Sequence, residues 1–134
     1  MTLRCIECAT EHDPGKLIYR CHCNGLIEVV HNLSPLKGVL TREELDRRQG
    51  VRKGPHSSGV WRYQELVLDV PQHQIIYRPE GNTNLYDSHQ ISRWVELDAL
   101  LLKHEGENPT GSFKDRGMPA GITHAAQTGA SVVA

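Results

Sequence analysis

The sequence predicts an α/β protein in which a small cysteine-rich module precedes the beginning of a larger domain. All four cysteines lie within the first 31 of 134 residues, whereas the later chain alternates apolar runs with turn and helix signals. An apolar run, 130–134, follows Gly129, which is typical of a buried parallel strand after a helix. We therefore divide the chain into a cysteine module (1–31), a polar linker with a short helix (32–60) and the start of an α/β domain (61–134).

Composition and charge are those of an ordinary globular protein. Lys and Arg number 15 and Asp and Glu number 16, so the net charge of -1 gives no electrostatic reason to expect a nucleic-acid or membrane partner. Residues 42–53 are locally basic, but acidic side chains interrupt them and no aromatic stacking platform accompanies them. The longest strictly apolar run, Ala99 to Leu102, is far too short to cross a bilayer. The opening residues lack the apolar core of a signal peptide, so we expect a cytoplasmic location.

The cysteines form two close pairs with twelve residues between them, Cys5-x2-Cys8 and Cys21-x-Cys23. Two strand-like runs, Leu17–Tyr19 and Leu26–Val30, flank the second pair and predict a hairpin that brings the thiolates together. Four thiolates in tetrahedral arrangement suit a closed structural zinc site. The module is therefore predicted to be zinc-ribbon-like, with these four side chains as metal ligands.

The cysteine pattern leaves alternatives open. The second pair has one intervening residue where a regular ribbon knuckle has two. His12 or His22 could replace a cysteine ligand, although a strand residue that faces solvent is the simpler interpretation of His22. Reduced structural thiols and redox chemistry are the other two possibilities, whereas disulfides are not expected in the cytoplasm.

The linker contains one helix signal. Thr41 and Glu44 have the spacing of a capping box, so we predict a helix in the segment TREELDRR. The next segment, Gly50 to Gly59, is rich in residues that break regular structure. We predict that it is a mobile, solvated connection.

From residue 61 onward the apolar runs are denser. Glu65–Val70 suits a short helix or turn ended by Pro71, and Gln74–Arg78 suits a strand. Val95–Lys103 fits either a strand or a helix, because periodicity does not separate the two in so short a run. These elements lead to a sharp turn at 105–110.

A lysine lies where that turn meets the next predicted helix. Ser112 and Asp115 have cap spacing, so we predict a helix that begins near Ser112 and carries Lys114 in its first turn. The positive potential of a helix N-terminus disfavours an ammonium, so we expect a lowered pKa for Lys114 and a neutral amine that can attack an aldehyde. Gly106 and Gly111 have the spacing of a Walker A phosphate loop, but two residues separate Gly111 from the lysine and exclude that interpretation.

Several segments carry a resemblance to a known family. They are the cysteine-bearing start followed by GLIEV, SGVWRYQEL (Ser58–Leu66), EGNTNLY (Glu80–Tyr86) and HEGENPTGSFKDRGM (His104–Met118). Together they closely resemble the N-terminal part of the threonine synthase family, which consists of pyridoxal-phosphate enzymes with a tryptophan synthase β-like fold. NPTGSFKDRG is specific to that superfamily, and GVWRY sharpens the resemblance toward threonine synthase.

The resemblance implies a cofactor, a reaction and a site residue. Lys114 matches the lysine that forms a Schiff base with pyridoxal phosphate and later moves protons at the substrate carbons, while the cofactor ring accepts electrons. The implied small-molecule substrate is O-phospho-L-homoserine, which reacts with water to give L-threonine and phosphate. Lys114 is thus the expected catalytic and cofactor-binding residue.

The sequence also departs from the family pattern. After a strand like Ser131–Ala134 the family continues into loops that hold the cofactor ring and its phosphate, and this sequence stops before them. We therefore expect the 134-residue chain alone to bind pyridoxal phosphate weakly or not at all and to be inactive. Pro79 and Asn84 stand where the family usually has glycine and proline. Pro119 and Gly121 disfavour a regular helix after the lysine.

A second interpretation of the chain is an interaction module. The apolar strand expected at Ser131–Ala134 would be unpaired, and an exposed strand edge tends to recruit another strand. On this interpretation the chain pairs with a complementing chain, or forms an oligomer, that supplies the rest of the fold.

Overall fold

A computed structural model describes residues 1–132, in which the cysteine module is a three-stranded antiparallel sheet. Its strands are β1 (Thr2–Cys5), β2 (Glu11–His12) and β3 (Ile27–Val30), in the order β2-β1-β3. The strand predicted at Leu26–Val30 is confirmed as β3. The run Leu17–Tyr19 is not a strand, and β3 pairs with β1 instead of forming the predicted hairpin.

The linker contains the predicted helix, α1 (Arg42–Gln49). Its cap is Thr41, whose side-chain oxygen accepts a hydrogen bond from the backbone N–H of Glu44 at 3.3 Å. The buried side chain of Arg48 fastens α1 to the following segment through hydrogen bonds to the carboxylate of Glu65 and the backbone oxygen of Arg62. The short helix is therefore held at its start by a local cap and near its end by a tertiary contact.

The segment Gly50 to Gly59 differs from the mobile connection that its composition predicts. It contains a short 3-10 turn, Pro55–Ser57, and then Ser58, which is fully buried. Gly59 donates its backbone N–H to the backbone oxygen of Glu80 at 2.8 Å, and a Cβ on Gly59 would lie 2.9 Å from the same oxygen. Two backbone segments approach each other closely here, so glycine serves packing rather than mobility.

The apolar core of the later chain is small and lies around a tryptophan. Its buried members are Trp61, Leu68, Val70 and Ile75. The helix α2 (Gln64–Val67) lies between Trp61 and Leu68, which confirms a short helix before Pro71. The indole N–H of Trp61 donates to the backbone oxygen of Ile76 at 3.1 Å, so the polar edge of the ring is also satisfied.

The strand predicted at Gln74–Arg78 is absent. The segment leaves a 3-10 turn (Gln72–Gln74) and then continues without pairing to another strand. A side chain binds its backbone instead, because the backbone N–H of Ile76 donates to the hydroxyl of Thr123 at 3.0 Å and that hydroxyl donates to the oxygen of Ile76 at 3.2 Å. An extended segment satisfied in this way needs no strand partner, and a short apolar run does not reveal the difference.

Two further strands form a separate antiparallel sheet. They are β4 (Leu85–Asp87) and β5 (Leu101–Lys103), and the helix α3 (His89–Trp94) lies between them in the chain. The ambiguous run Val95–Lys103 is therefore a strand at its end and not a helix. All six residues of this sheet are exposed.

The helix predicted to begin near Ser112 starts later. Residues Phe113–Arg116 form a 3-10 turn, and α4 (Met118–Gln127) begins after it. Pro119 explains the difference, since proline is tolerated in the first turn of a helix, where its missing N–H would have no partner, but not further inside. Lys114 thus lies in the turn before α4 and not in its first turn.

The end of the chain was predicted to be a strand at Ala130–Ala134. Residues 130–132 are not in a strand, and residues 133–134 lie outside the described residues. Within residues 1–132, no helix combines the length and the apolar character that crossing a membrane requires.

Replacing Thr123 with valine tests the contact that takes the place of the missing strand. T123V keeps the shape of the side chain but removes both hydrogen bonds to Ile76, so we expect the free energy of unfolding to fall by about 1–3 kcal/mol. Urea denaturation followed by tryptophan fluorescence measures the loss. T123S keeps the hydroxyl and is the matched control. A T123V chain as stable as the wild type would contradict this account.

Candidate functional site

The four cysteine side chains, here called the cysteine cluster (Cys5, Cys8, Cys21 and Cys23), come together beside the end of β1. Their Sγ atoms all lie within 4.8 Å of one another, and three pairs are separated by 3.5, 3.5 and 3.6 Å. Zinc bonded to four sulfurs at about 2.3 Å in a tetrahedron requires sulfur atoms about 3.8 Å apart. The cluster therefore has the size of a closed tetrahedral metal site, and its role as a zinc site remains a prediction.

Two tight turns hold the thiols. The backbone oxygen of Cys5 accepts a hydrogen bond from the N–H of Ala9 at 3.0 Å, and that of Cys21 accepts one from Asn24 at 2.8 Å. Ala9 and Asn24 both adopt positive φ, at 58° and 68°. A Cβ on Gly25 would lie 2.6 Å from the sulfur of Cys5, so glycine is required where the chain passes the cluster. The backbone thus positions the sulfurs.

The two histidines that could replace a cysteine ligand do not join the cluster. Among residues 1–132, the ligand atoms that converge here belong to cysteines alone. His22 is exposed, and its Nδ1 lies 3.3 Å from the sulfur of Cys21. His12 has a buried Nε2 without a hydrogen-bond partner in the described chain.

Hydrogen bonds give the thiols of Cys8 and Cys23 different pKa values. The hydroxyl and backbone of Thr10 lower the pKa of Cys8 to about 6. A backbone hydrogen bond at Gly25 favours the thiolate of Cys23, but the thiols of Cys8 and Cys5 raise the pKa of Cys23 to about 12. At neutral pH the thiolate form of Cys8 therefore predominates, and a metal that binds all four sulfurs releases protons from others.

The second site is the lysine turn, residues 108–116. Its Ser112 hydroxyl accepts a hydrogen bond from the backbone N–H of Lys114 at 3.2 Å. Asp115 points back along the turn, where its carboxylate accepts from the backbone N–H and the hydroxyl of Thr110, both at 2.7 Å. These two hydrogen bonds lower the pKa of Asp115. The backbone that carries Lys114 is thus held from two directions.

The side chain of Asn108 connects the lysine turn to the segment GNTN, residues 81–84. Its side chain is buried, and its amide oxygen accepts from the backbone N–H of Gly81 at 2.9 Å. The amide nitrogen donates to the backbone oxygen and to the carboxylate of Glu105, also at 2.9 Å. One asparagine therefore links two segments that the sequence separates by 27 residues.

An ion pair between Glu105 and Arg116 joins the two ends of the lysine turn region. Arg116 donates two hydrogen bonds to the carboxylate of Glu105, at 2.7 and 2.8 Å, and the hydroxyl of Thr83 donates to the same carboxylate at 3.1 Å. The Arg116 guanidinium lowers the pKa of Glu105 to about 2, and the carboxylate raises the pKa of Arg116. Both groups are charged at neutral pH. Sequence reasoning missed the pair, because residues eleven apart are not contact neighbours within a helix or a strand.

Lys114 lies on the outside of the lysine turn. Its side chain and that of Phe113 are exposed, and the Phe113 side chain is one of the larger exposed apolar groups of the chain. Within the described part of the chain, the amino group of Lys114 has no hydrogen-bond or ion-pair partner. The amine is therefore available to react with a small molecule.

A third feature is an open cleft of about 680 Å³, here called the arginine cleft. Its cationic lining residues are Arg52, Arg62, Lys103 and Arg116. Sequence reasoning noticed Arg62 only as a letter of the motif GVWRY. Its burial is the signal that distinguishes it from surface arginines, and burial is visible only in the folded chain.

Comparison with known proteins finds relatives across nearly the whole chain. Residues 76–134 match the model of a family described as pyridoxal-phosphate dependent enzymes. A threonine synthase of Methanocaldococcus jannaschii is 38% identical over 133 residues, which is 99% of this chain and 31% of that protein. A threonine synthase of Methanosarcina acetivorans is also 38% identical, over 98% of this chain and 30% of that protein.

A plant relative gives the same picture at lower coverage. The chloroplastic threonine synthase 2 of Arabidopsis thaliana is 35% identical over 108 residues, which is 77% of this chain and 21% of that protein. The chain spans about a third of the length of the two archaeal relatives. The resemblance noticed in the sequence is thereby confirmed.

Replacing Glu105 with glutamine tests the ion pair. The pKa of Glu105 in the folded chain, about 2, lies below its ordinary value of 4.5, so the carboxylate stabilises the fold above that value and loses this contribution as the pH falls toward 2. We therefore expect E105Q to be less stable than the wild type at neutral pH, and the gap to narrow in acid. Urea denaturation over a pH series measures the gap, with E11Q on β2 as the control. A gap independent of pH would refute the pairing.

Proposed function

The chain is related to the N-terminal part of threonine synthases, which are pyridoxal-phosphate-dependent enzymes, and on that basis we propose that it serves the conversion of O-phospho-L-homoserine and water to L-threonine and phosphate. In this proposal Lys114 is the catalytic and cofactor-binding residue. The observation that carries the proposal is a lysine whose amine has no partner among residues 1–132, on a turn within the segment that matches the cofactor family.

The residues of the lysine turn suit the cofactor. A Schiff base forms from an amine that can lose its proton, and a carboxylate partner would oppose this. Lys114 has no such partner among the described residues, because the neighbouring carboxylate of Asp115 is committed to Thr110. The hydrogen bonds of the turn also restrict where the lysine can reach, which favours a defined orientation.

The cofactor and the residues of the chain would supply different parts of the chemistry. Bound pyridoxal phosphate supplies an electron sink for charge that develops on the substrate carbons. Lys114 would hold the cofactor through Nζ and would carry a proton between the substrate carbons. Asp115 and Ser112 hold the backbone on either side of this lysine.

We propose further that the 134-residue chain alone forms no threonine. Lys114 and Phe113 are exposed, so solvent would have free access to a cofactor held at Nζ. The chain would then hold pyridoxal phosphate only reversibly.

Reductive trapping tests the role of Lys114. We expect borohydride, added while pyridoxal phosphate is present, to label Lys114 more than the other lysines, and we expect gel filtration before reduction to remove the label. Peptide mapping by mass spectrometry measures the distribution. K114A should lose the dominant label, and K53A, in the linker, should keep it.

Two outcomes would count against these proposals. Equal labelling of all lysines would remove the support for Lys114 as the cofactor residue. Threonine released from O-phospho-L-homoserine by the purified chain would refute its inactivity and leave the assigned reaction standing.

We also propose that the cysteine cluster holds one structural zinc ion. Support comes from the converging sulfurs and from the backbone turns that position them, which together resemble the closed thiolate sites of structural zinc. A cluster of free thiols would gain little from this convergence. Because an unfolded chain offers no preformed site, zinc binding would stabilise the cysteine module.

Metal analysis tests the zinc site. We expect the purified chain to carry about one zinc ion, to unfold at lower temperature after chelation and to recover when zinc is restored. Cobalt substitution should give the charge-transfer absorption of cobalt–thiolate bonds. C8S should lose the metal, whereas H22A should keep it, because His22 stands outside the converging ligands. Full metal content in C8S would sink the four-cysteine assignment.

An interaction module is the second candidate function. The observation that favours it is the sheet of β4 and β5, whose residues are all exposed, together with Trp94, which is 83% exposed. Such a surface suits another chain that completes the fold. Co-purification of a second polypeptide would favour this candidate, and a monodisperse monomer would count against it.

A further inference from the structure

Two of the four thiols in the cysteine cluster face an open hollow of about 470 Å³, here called the thiol hollow. Cys8 and Cys23 are exposed and line the hollow, whereas the other two cysteines of the cluster are buried. Glu7 and Arg20 contribute one charge of each sign to the lining, so charge does not select the molecule that enters. A small reagent in solution therefore meets the sulfurs of Cys8 and Cys23 first.

The two exposed sulfurs lie close enough to be joined. The Sγ atoms of Cys8 and Cys23 are 3.5 Å apart. A disulfide bond is about 2.05 Å long, so a small movement of the two side chains would close it. Each exposed sulfur also has a buried neighbour, because Cys21 lies 3.6 Å from Cys8 and Cys5 lies 3.5 Å from Cys23. Of these three contacts, only the one between Cys8 and Cys23 is available whichever exposed sulfur reacts first.

A bond between these sulfurs would connect the two turns of the cysteine module. Cys8 belongs to the turn 5–9, and Cys23 belongs to the turn 21–24. The two cysteines are 15 positions apart in the sequence, so the bond would close a loop that contains most of the module. Closing such a loop restricts the unfolded chain and stabilises the folded one. A disulfide would therefore hold the two turns together, which is the role that we propose for zinc.

We propose that Cys8 and Cys23 form a reversible disulfide by exchange with a low-molecular-weight disulfide, and that this bond and bound zinc exclude each other. The exclusion rests on the zinc site proposed above, whereas the bond itself depends only on the two exposed sulfurs.

The exchange takes two steps. One exposed sulfur attacks the small disulfide, forms a mixed disulfide with it and releases one small thiol. The other exposed sulfur then attacks the cysteine sulfur of the mixed disulfide and releases the second small thiol. Two thiols of the chain are thereby oxidised to one disulfide, one small disulfide is reduced to two thiols, and the two protons pass from the chain to the released thiols.

Oxidation of the 134-residue chain with oxidised glutathione tests the proposal. After chelation of metal, peptide mapping without reduction should find one internal disulfide, between Cys8 and Cys23, which dithiothreitol removes. The oxidised chain should unfold at higher temperature than the reduced, chelated chain, as circular dichroism measures. Zinc restored before the oxidant should slow formation of the disulfide at least about tenfold, because the metal holds both attacking sulfurs.

Single variants separate the exposed sulfurs from the buried ones. C23S should stop at a glutathione adduct on Cys8, and C8S should stop at an adduct on Cys23. C21S removes a buried thiol and is the matched control, so it should still form the disulfide. Mapping of the wild-type chain gives the pairing directly and does not depend on the folding of any variant.

The outcomes for the disulfide and for the zinc site are distinct. A wild-type disulfide that includes Cys5 or Cys21, a mixture of pairings, or glutathione adducts without an internal bond would overturn the proposed pairing. A bond between Cys8 and Cys23 that forms equally fast in the presence of zinc would support the pairing but overturn its competition with zinc, and would contradict the proposed zinc site.

Discussion

The ion pair between Glu105 and Arg116 is the contact on which the lysine turn depends. Glu105 precedes the turn, Arg116 closes it, and Asn108 inside it donates to the carboxylate of Glu105. Through Asn108 the same network reaches Gly81. Without the pair, the turn would keep its local bonds, such as those of Asp115, and the hydrogen bond between Gly81 and Asn108, but it would lose the charged contact that joins its two ends.

The same ion pair decides the character of the arginine cleft. Arg116 lines the cleft and is paired with Glu105, whereas Arg62 and Arg52 have no ion-pair partner among residues 1–132. Arg62 reaches the cleft because the fold buries the segment that carries it, next to Trp61 at the centre of the core. The core therefore positions Arg62, and one network holds both the lysine turn and a wall of the neighbouring cleft.

Local signals in the sequence predicted local structure well. The cap at Thr41 and the strand within Leu26–Val30 are present, because a capping residue and a short apolar run can each be recognised from a few neighbouring residues. The predictions that failed depend on contacts between residues far apart in the sequence. The segment Gln74–Arg78 forms hydrogen bonds with Thr123 and not with another strand. Gly59 packs against Glu80, although the composition of the segment Gly50 to Gly59 indicates a loop. In each case a distant residue decides the outcome, and no short window contains that information.

The sequence by itself determined the chemistry that the protein offers: two thiol pairs at metal-ligand spacing, a lysine beside a tight turn, and the motifs that relate it to pyridoxal-phosphate enzymes. These features depend on residue type and on short spacings in the sequence, which are already present in the unfolded chain. Only the tertiary structure decided which sulfurs converge and that Lys114 precedes α4 rather than lying in its first turn. It also decided that Arg62 is buried, with an Nε that has no partner in the described part of the chain. Burial and pairing across many residues arise from packing, because they depend on which distant groups exclude water together.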